Sequence, residues 1–159
     1  MSLRVHRELS WLKRAEQLEE QQDLDGPFIL LWIAFNAAYA TEIDEKYRES
    51  EQLTFRGLLQ KLVDLDSGKK RFEHLTWEEF PRSIRVLLDN KFVFAEFWRS
   101  QSGAAPVEDW KASFDAANRA AHVALGKRDT VTVLSIVLSR IYTLRNQLVH
   151  GGATWGSSV

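Results

Sequence analysis

The chain has 159 residues, 45% of them hydrophobic, which is enough for one buried core and the size of one domain rather than two. Its net charge of −1 and pI near 6.4 give no global basic field, and the lack of cysteine excludes disulfides, thiolate zinc sites and a thiol nucleophile. No apolar run is long enough to span a bilayer, so we expect a cytoplasmic protein, with one domain over residues 1–159 and no membrane association.

Helical periodicity dominates the first 65 residues. Leu9, Leu12 and Leu18 predict one amphipathic helix, which is expected to end before a break at 25–27. The next helix, over 28–40, is apolar almost all round, which is typical of a central helix with its aromatic residues in the core. A third helix, over 53–63, is expected to stop near 66–68, and the charged residues up to Glu79 predict a loop or short turns.

Four features organise the second half of the chain. Pro81 opens a fourth helix, and the run 84–98 is either one helix or two divided near residues 89–90, with its aromatic residues in the core. Residues 103–106 form a loop. An Ala-rich helix over 108–125 ends at Gly126, and a last helix runs from about Asp129 to His150, with Asp129 or Thr130 as its cap. The sequence therefore predicts an all-α bundle of about five to seven helices.

Segments that resemble metal-binding or phosphate-binding loops lack a required residue at the required spacing. Two Asp-rich turns resemble calcium loops but carry Ala34 and Leu75 where the bidentate Glu is needed. Gly126-Lys127 lacks both the upstream glycine and the following Ser or Thr of a phosphate loop. Three of the four histidines are isolated in sequence. We therefore predict no metal site and no cofactor.

Positive charge is concentrated late in the chain. Residues 1–80 carry 11 Lys or Arg and 16 Asp or Glu, a net −5, whereas residues 81–159 carry 10 and 6, a net +4. Residues 116–159 contain five basic residues, Arg140 and Arg145 among them, and one acidic residue, Asp129. Such a patch either attracts phosphates or is simply a solvated helix face.

One group of chemically capable residues lies at the end of the last helix. Tyr142, Asn146 and His150 follow one another at four-residue spacing and form a polar stripe beside an apolar row. Arg145 lies about 140° around the helix and roughly 7.5 Å along it from His150. Either the arginine bends round, or the helix ends before His150 and Gly151-Gly152 lets the imidazole swing free.

These side chains suit cleavage of RNA through its 2′-hydroxyl, which needs proton transfer and stabilisation of a negative phosphoryl group. Histidine exchanges a proton near neutral pH, and arginine offers a rigid fork of donors to phosphate oxygens. Asn146 can orient His150 or donate to the phosphate. The structural alternative is that basic residues at a helix end followed by Gly-Gly only satisfy its last carbonyls.

The segment 144–152, Leu-Arg-Asn-Gln-Leu-Val-His-Gly-Gly, resembles the Arg-x4-His signature of the HEPN superfamily. The segment 32–39, Trp-Ile-Ala-Phe-Asn-Ala-Ala-Tyr, resembles the Trp-x-x-Phe-Asn-x-x-Tyr helix of uncharacterised bacterial HEPN proteins related to the Apea-like group. This resemblance implies a helical bundle, frequent homodimers whose motifs meet across the interface, and in many members metal-independent endoribonuclease activity in toxin–antitoxin, phage-defence or RNA-processing systems. Other HEPN domains only bind nucleotides or partners.

Carried over to this chain, the resemblance makes Arg145 and His150 catalytic and Asn146 supporting. We add Tyr142, Arg140 and Asn36 as substrate-binding candidates; Asn36 has the alternative of satisfying a neighbouring backbone group. RNA, a second copy of the chain and an antitoxin are the expected partners. The alternative function is a non-catalytic helical interaction module in which the Arg and His serve only structure.

The chain stops nine residues after His150, whereas members of the family tend to continue past the motif with another helix. We therefore expect a domain truncated at its C-terminus, with Trp155 a core anchor separated from its helix.

Overall fold

The computed structural model describes residues 3–19, 25–39, 51–103 and 109–150, and these ranges are helical without any strand. Eight α-helices occur in them, one more than the upper end of the expected range. They are α1 (Leu3–Glu19), α2 (Asp25–Tyr39), α3 (Glu51–Leu65), α4 (Arg71–His74), α5 (Pro81–Asp89), α6 (Ala95–Gln101), α7 (Asp109–Gly126) and α8 (Thr130–Val149). Over the same ranges no helix has the length and apolar character needed to cross a membrane.

The chain separates into two compact units, Met1–Arg48 with Arg145–Val159, and Glu49–Leu144. The first contains α1, α2 and the end of α8, and the second contains α3 to α7 and the rest of α8. One domain over 1–159 remains a prediction, because compact units within a small chain can fold together. The expected loop beyond Gly103 and the expected C-terminal truncation, with Trp155, lie outside the described residues.

The first unit is built on the packing of α1 against α2. Ala15 of α1 is buried, as are Trp32 and Ala34 of α2. The break expected at residues 25–27 is wrong, since these residues form the first turn of α2. A proline is tolerated there because the first four N–H groups of a helix have no intrahelical partner.

The core of the second unit lies where α5, α7 and α8 meet. Its buried members are Ile84, Leu88, Ala121, Ala124 and Val133. The two alanines keep the surface of α7 shallow, so that larger side chains of the neighbouring helices fill the space.

A separate aromatic cluster involves α6 and α7. Phe94 and Phe97 are buried, and the ring of Phe94 lies edge-on to Phe114 at 5.3 Å, as Phe97 does to Trp110 at 5.1 Å. The core role expected for the aromatic residues of this region is confirmed for these two, whereas Phe92 is exposed. Of the two alternatives for this region, the structure shows two helices, since α5 ends at Asp89 and α6 begins at Ala95.

Of the loop or short turns expected up to Glu79, the structure shows short helical turns, since α4 continues into a π-helical turn, Leu75–Glu79. The carboxylate of Asp66 accepts the Phe72 N–H at 2.9 Å, and the hydroxyl of the buried Thr76 donates to the Phe72 carbonyl at 2.6 Å. The indole N–H of Trp77 donates to the Thr130 hydroxyl at 2.9 Å. These hydrogen bonds engage backbone groups and the indole N–H of the segment. Its many charged residues leave no regular spacing of apolar residues from which a helix could be predicted.

The turn between α7 and α8 departs from the expected glycine cap. Gly126 is still helical, and the left-handed residue is Arg128, with φ of 53°. The Arg128 guanidinium lies 5.2 Å from the centroid of the Trp77 ring, a cation–π contact. The side chain therefore has a partner even though its backbone conformation is unfavourable for a residue with a Cβ.

Asp129, one of the two caps that the sequence allowed, caps α8. Its carboxylate accepts the backbone N–H of Thr132 at 3.0 Å and the hydroxyl of the same residue at 2.7 Å. These two hydrogen bonds hold the pKa of Asp129 below its ordinary value of 3.8, and the bond from the Thr132 backbone has the larger effect.

Asp129→Ala is expected to lower the free energy of unfolding by about 1 kcal/mol at neutral pH, because a capping acceptor is lost. Asp129→Asn keeps an acceptor and is the matched control. Because the folded pKa is depressed, the carboxylate stabilises the protein above pH 3.8, and this contribution is lost as pH falls through the folded pKa. The free energy of unfolding, measured with urea from pH 7 to pH 2, should therefore fall less in Asp129→Asn than in the native protein. An equal fall in the two proteins would contradict the assignment.

Candidate nucleic-acid site

The end of α8 carries three of the predicted site residues in the first unit. α8 ends at Val149, so the helix stops before His150, although the His150 backbone N–H still donates to the Asn146 carbonyl at 3.0 Å. His150 is exposed, whereas Arg145 and Asn146 are half-buried. An exposed imidazole just past a helix end is accessible to a substrate while its backbone stays fixed.

Arg145 is held by contacts on two sides of its guanidinium. Its Nη1 donates to Oδ1 of Asn146 at 2.7 Å. Its central carbon lies 5.9 Å from the centroid of the Trp32 ring, within the range of a cation–π interaction. Asn146 therefore contacts both catalytic candidates, Arg145 through its side chain and His150 through its carbonyl.

Trp32 is the residue of the candidate site that sequence reasoning missed, because it was expected only as part of the core. It is buried, and its ring lies 5.5 Å from that of Phe35 at an angle of 55°. Both rings belong to the Trp-x-x-Phe-Asn-x-x-Tyr segment. The available signal was that a tryptophan one helical turn before a polar Asn36 shares a helix face with it.

Asn36 is half-buried on α2, one turn beyond Trp32. This position places it on the face of α2 that carries the ring under Arg145. Its role in substrate binding remains a prediction.

Tyr142 and Arg140 lie on the part of α8 that belongs to the second unit. Tyr142 is half-buried. Arg140 is buried and packs against Phe94 and Phe114 in that unit. The grouping of these two residues with Arg145 and His150 stays a prediction.

Two further observations concern metal ligands and the remaining histidines. Among the residues that the structure describes, no three His, Asp or Glu side chains are grouped as metal ligands. His74 and His122, two of the isolated histidines, are each paired with one carboxylate, Glu78 at 3.0 Å and Asp89 at 3.5 Å, and their side chains are exposed. Surface pairs of this kind stabilise little and suggest no chemistry.

Comparison of the chain with models of known protein families, with curated proteins and with solved structures gives no match.

Proposed function

We propose that this protein is a metal-independent endoribonuclease of the HEPN type, or an RNA-binding domain derived from one. The observation that carries the proposal is the contact between Arg145 and Trp32. It brings together the two segments of the chain that resemble HEPN motifs, although they lie far apart in sequence. A half-buried guanidinium held by a ring and an amide is preorganised to receive a phosphate.

The residues divide the proposed reaction between them. The 2′-oxygen of RNA attacks the adjacent phosphorus, the bond from phosphorus to the 5′-oxygen breaks, and a cyclic phosphate remains. A proton leaves the 2′-hydroxyl and one is delivered to the 5′-oxygen. His150 exchanges a proton at one of these oxygens, Arg145 binds the phosphoryl oxygens, and Asn146 positions Arg145. Tyr142 and Asn36 are proposed to contact the RNA.

The proposed assembly is a homodimer, with an antitoxin as a further partner in a toxin–antitoxin or phage-defence system. Support for an interface comes from α1, where Leu9, Trp11 and Leu12 are 37–45% exposed, and from Leu31 of α2, which is 46% exposed. Large apolar side chains left exposed are the kind that an interface would bury. Light scattering at micromolar concentration tests the dimer, and a strict monomer would count against it.

The same exposed side chains favour the second candidate function, a non-catalytic helical interaction module. In that case Arg145 and His150 serve only the end of α8. Incubation of native protein and a His150 variant with mixed single-stranded RNA separates the two functions, because an interaction module leaves the RNA intact in both samples.

Cleavage is expected to continue unchanged in EDTA and to stop when the scissile nucleotide carries hydrogen in place of the 2′-hydroxyl. The reason is that the proposed nucleophile is the 2′-oxygen and the proposed catalysts are side chains. Gel analysis of a labelled oligonucleotide, with the ends tested for cyclic or 3′-phosphate, provides the measurement. Undiminished cleavage of the deoxy substrate would refute the mechanism.

Arg145→Ala is expected to weaken both RNA binding and cleavage, because one residue provides the phosphate contact for both. Loss of a charge-assisted contact of about 1.5 to 3 kcal/mol corresponds to roughly 10- to 150-fold in affinity. Arg82→Ala, which removes an exposed arginine of α5, is the matched control. Fluorescence anisotropy with a non-cleavable RNA measures binding, and equal affinities of the two variants would remove Arg145 from the site.

A further inference from the structure

Arg140 is a buried charge within the second unit. It is 4% exposed, and its guanidinium carbon lies 4.4 Å from the centroid of the Phe94 ring and 5.5 Å from that of Phe114. Among the described residues no hydrogen bond or ion pair engages this guanidinium. Buried charges in proteins are normally paired and hydrogen-bonded, since an isolated one is costly. The two rings cover its faces, and no group of the described residues bonds the N–H groups at its edge.

A groove of about 790 Å³ lies beside this guanidinium. Its size falls within the range of pockets that bind small molecules. It is lined by residues of the second unit, including Arg56, Glu96, Ser135, Ile136, Arg140 and Thr143. The groove thus combines a charged anchor with an apolar wall that would contact the body of an organic ligand.

Two hydroxyl groups of this groove already donate to backbone carbonyls of their own helix. The Ser135 hydroxyl donates to the Val131 carbonyl at 2.7 Å, and the Thr143 hydroxyl donates to the Ser139 carbonyl at 3.2 Å. Each therefore offers only acceptor lone pairs to a ligand. The charged donors that line the groove are the guanidinium groups of Arg140 and Arg56, and such forks match the oxygens of carboxylate and phosphate.

Glu96 is the internal competitor for Arg140. Burial lowers the pKa of Arg140, and the carboxylate of Glu96 partly offsets this effect. An arginine remains charged at neutral pH even so. Glu96 lines the groove without forming an ion pair with Arg140, so the guanidinium keeps its capacity for an anion from outside.

We propose that this groove binds a small organic oxyanion, a molecule with a phosphate or carboxylate group on an apolar body, and that Arg140 is its anchor. The inference goes beyond the proposed ribonuclease activity and is independent of it. It gives Arg140 a ligand whether or not Arg145 and His150 cleave RNA.

Three probes with the same ring, namely phenyl phosphate, benzoate and neutral benzamide, test the proposal by isothermal titration calorimetry at constant ionic strength. Saturable binding of phenyl phosphate, benzoate or both, with none of benzamide, is expected, and the stronger probe identifies the oxyanion. Arg140→Met should weaken that binding roughly 10- to 150-fold. A buried charge replaced by an apolar side chain of similar size often leaves stability unchanged or higher.

If Arg140→Met does not fold, a second pair of variants tests whether the oxyanion binds in the groove. Ala120 is exposed and lines the groove, so Ala120→Trp should obstruct it, whereas Ala112→Trp adds the same ring to an exposed position of α7 outside it. Loss of binding in Ala120→Trp alone supports the site. Failure of both oxyanions to bind native protein, benzamide binding as tightly, or binding unchanged in Ala120→Trp would overturn it.

Discussion

Replacement of His150 by alanine is expected to slow RNA cleavage by about 10² to 10⁴ while leaving RNA affinity nearly unchanged, because a general acid–base group contributes this much to rate and little to binding. The fold should be unaffected. His150 is exposed beyond the end of α8, and the hydrogen bond to Asn146 comes from its backbone, which alanine retains. Single-turnover cleavage and anisotropy measure the two quantities separately.

The control for this variant is His74→Ala, which removes another exposed histidine. It should cleave at the native rate, since His74 pairs with Glu78 on the surface of the second unit. Full activity in His150→Ala would remove the site assignment. A parallel fall in binding and cleavage would instead make His150 a phosphate contact and leave the proton-transfer role without a residue.

Leu88→Ala is expected to lower the free energy of unfolding by about 2 to 5 kcal/mol, because truncating a buried leucine loses transfer free energy and leaves a cavity. Leu88 has no exposed surface and lies in the cluster with Ile84, Ala121 and Val133. The small side chain of Ala121 offers little that can move into the space. Urea unfolding followed by circular dichroism measures the change.

Val86→Ala on the same helix is the matched control, because Val86 is 71% exposed. A surface truncation should change the free energy of unfolding by no more than about 0.5 kcal/mol. If the two variants unfold at the same urea concentration, α5 does not pack through Leu88 in solution.

The sequence predicted the elements whose stabilising features are local. The apolar spacing in α3 and α8, the proline that begins α5 and the carboxylate that caps α8 act within a few residues of one another. That the short turns up to Glu79 are helical could not be predicted, because they depend on distant partners. Trp77 bonds to Thr130 across more than fifty positions of sequence, and no periodicity within residues 70–79 reveals that bond.

The candidate site divides in the same way. The pattern at residues 145–150 indicated which side chains have suitable chemistry, and the end of α8 before His150 was one of two alternatives that helix geometry left open. The spacing of Trp32 and Asn36 indicates a shared helix face, but the contact between Trp32 and Arg145 could not be inferred, since cation–π contacts depend on tertiary placement. The groove beside Arg140 could not be predicted for the same reason, because the rings that pack on Arg140, Phe94 and Phe114, lie in other parts of the chain.

The left-handed Arg128 makes one position subject to two opposing effects. Its backbone conformation costs about 1 to 2 kcal/mol for a residue with a Cβ, whereas its stacking on Trp77 contributes roughly 0.5 to 1 kcal/mol at an exposed site. Glycine at this position would remove the strain and the stacking together. A nearly silent substitution there would therefore conceal two contributions of similar size, and the tolerance of the turn to mutation is no measure of how much it matters.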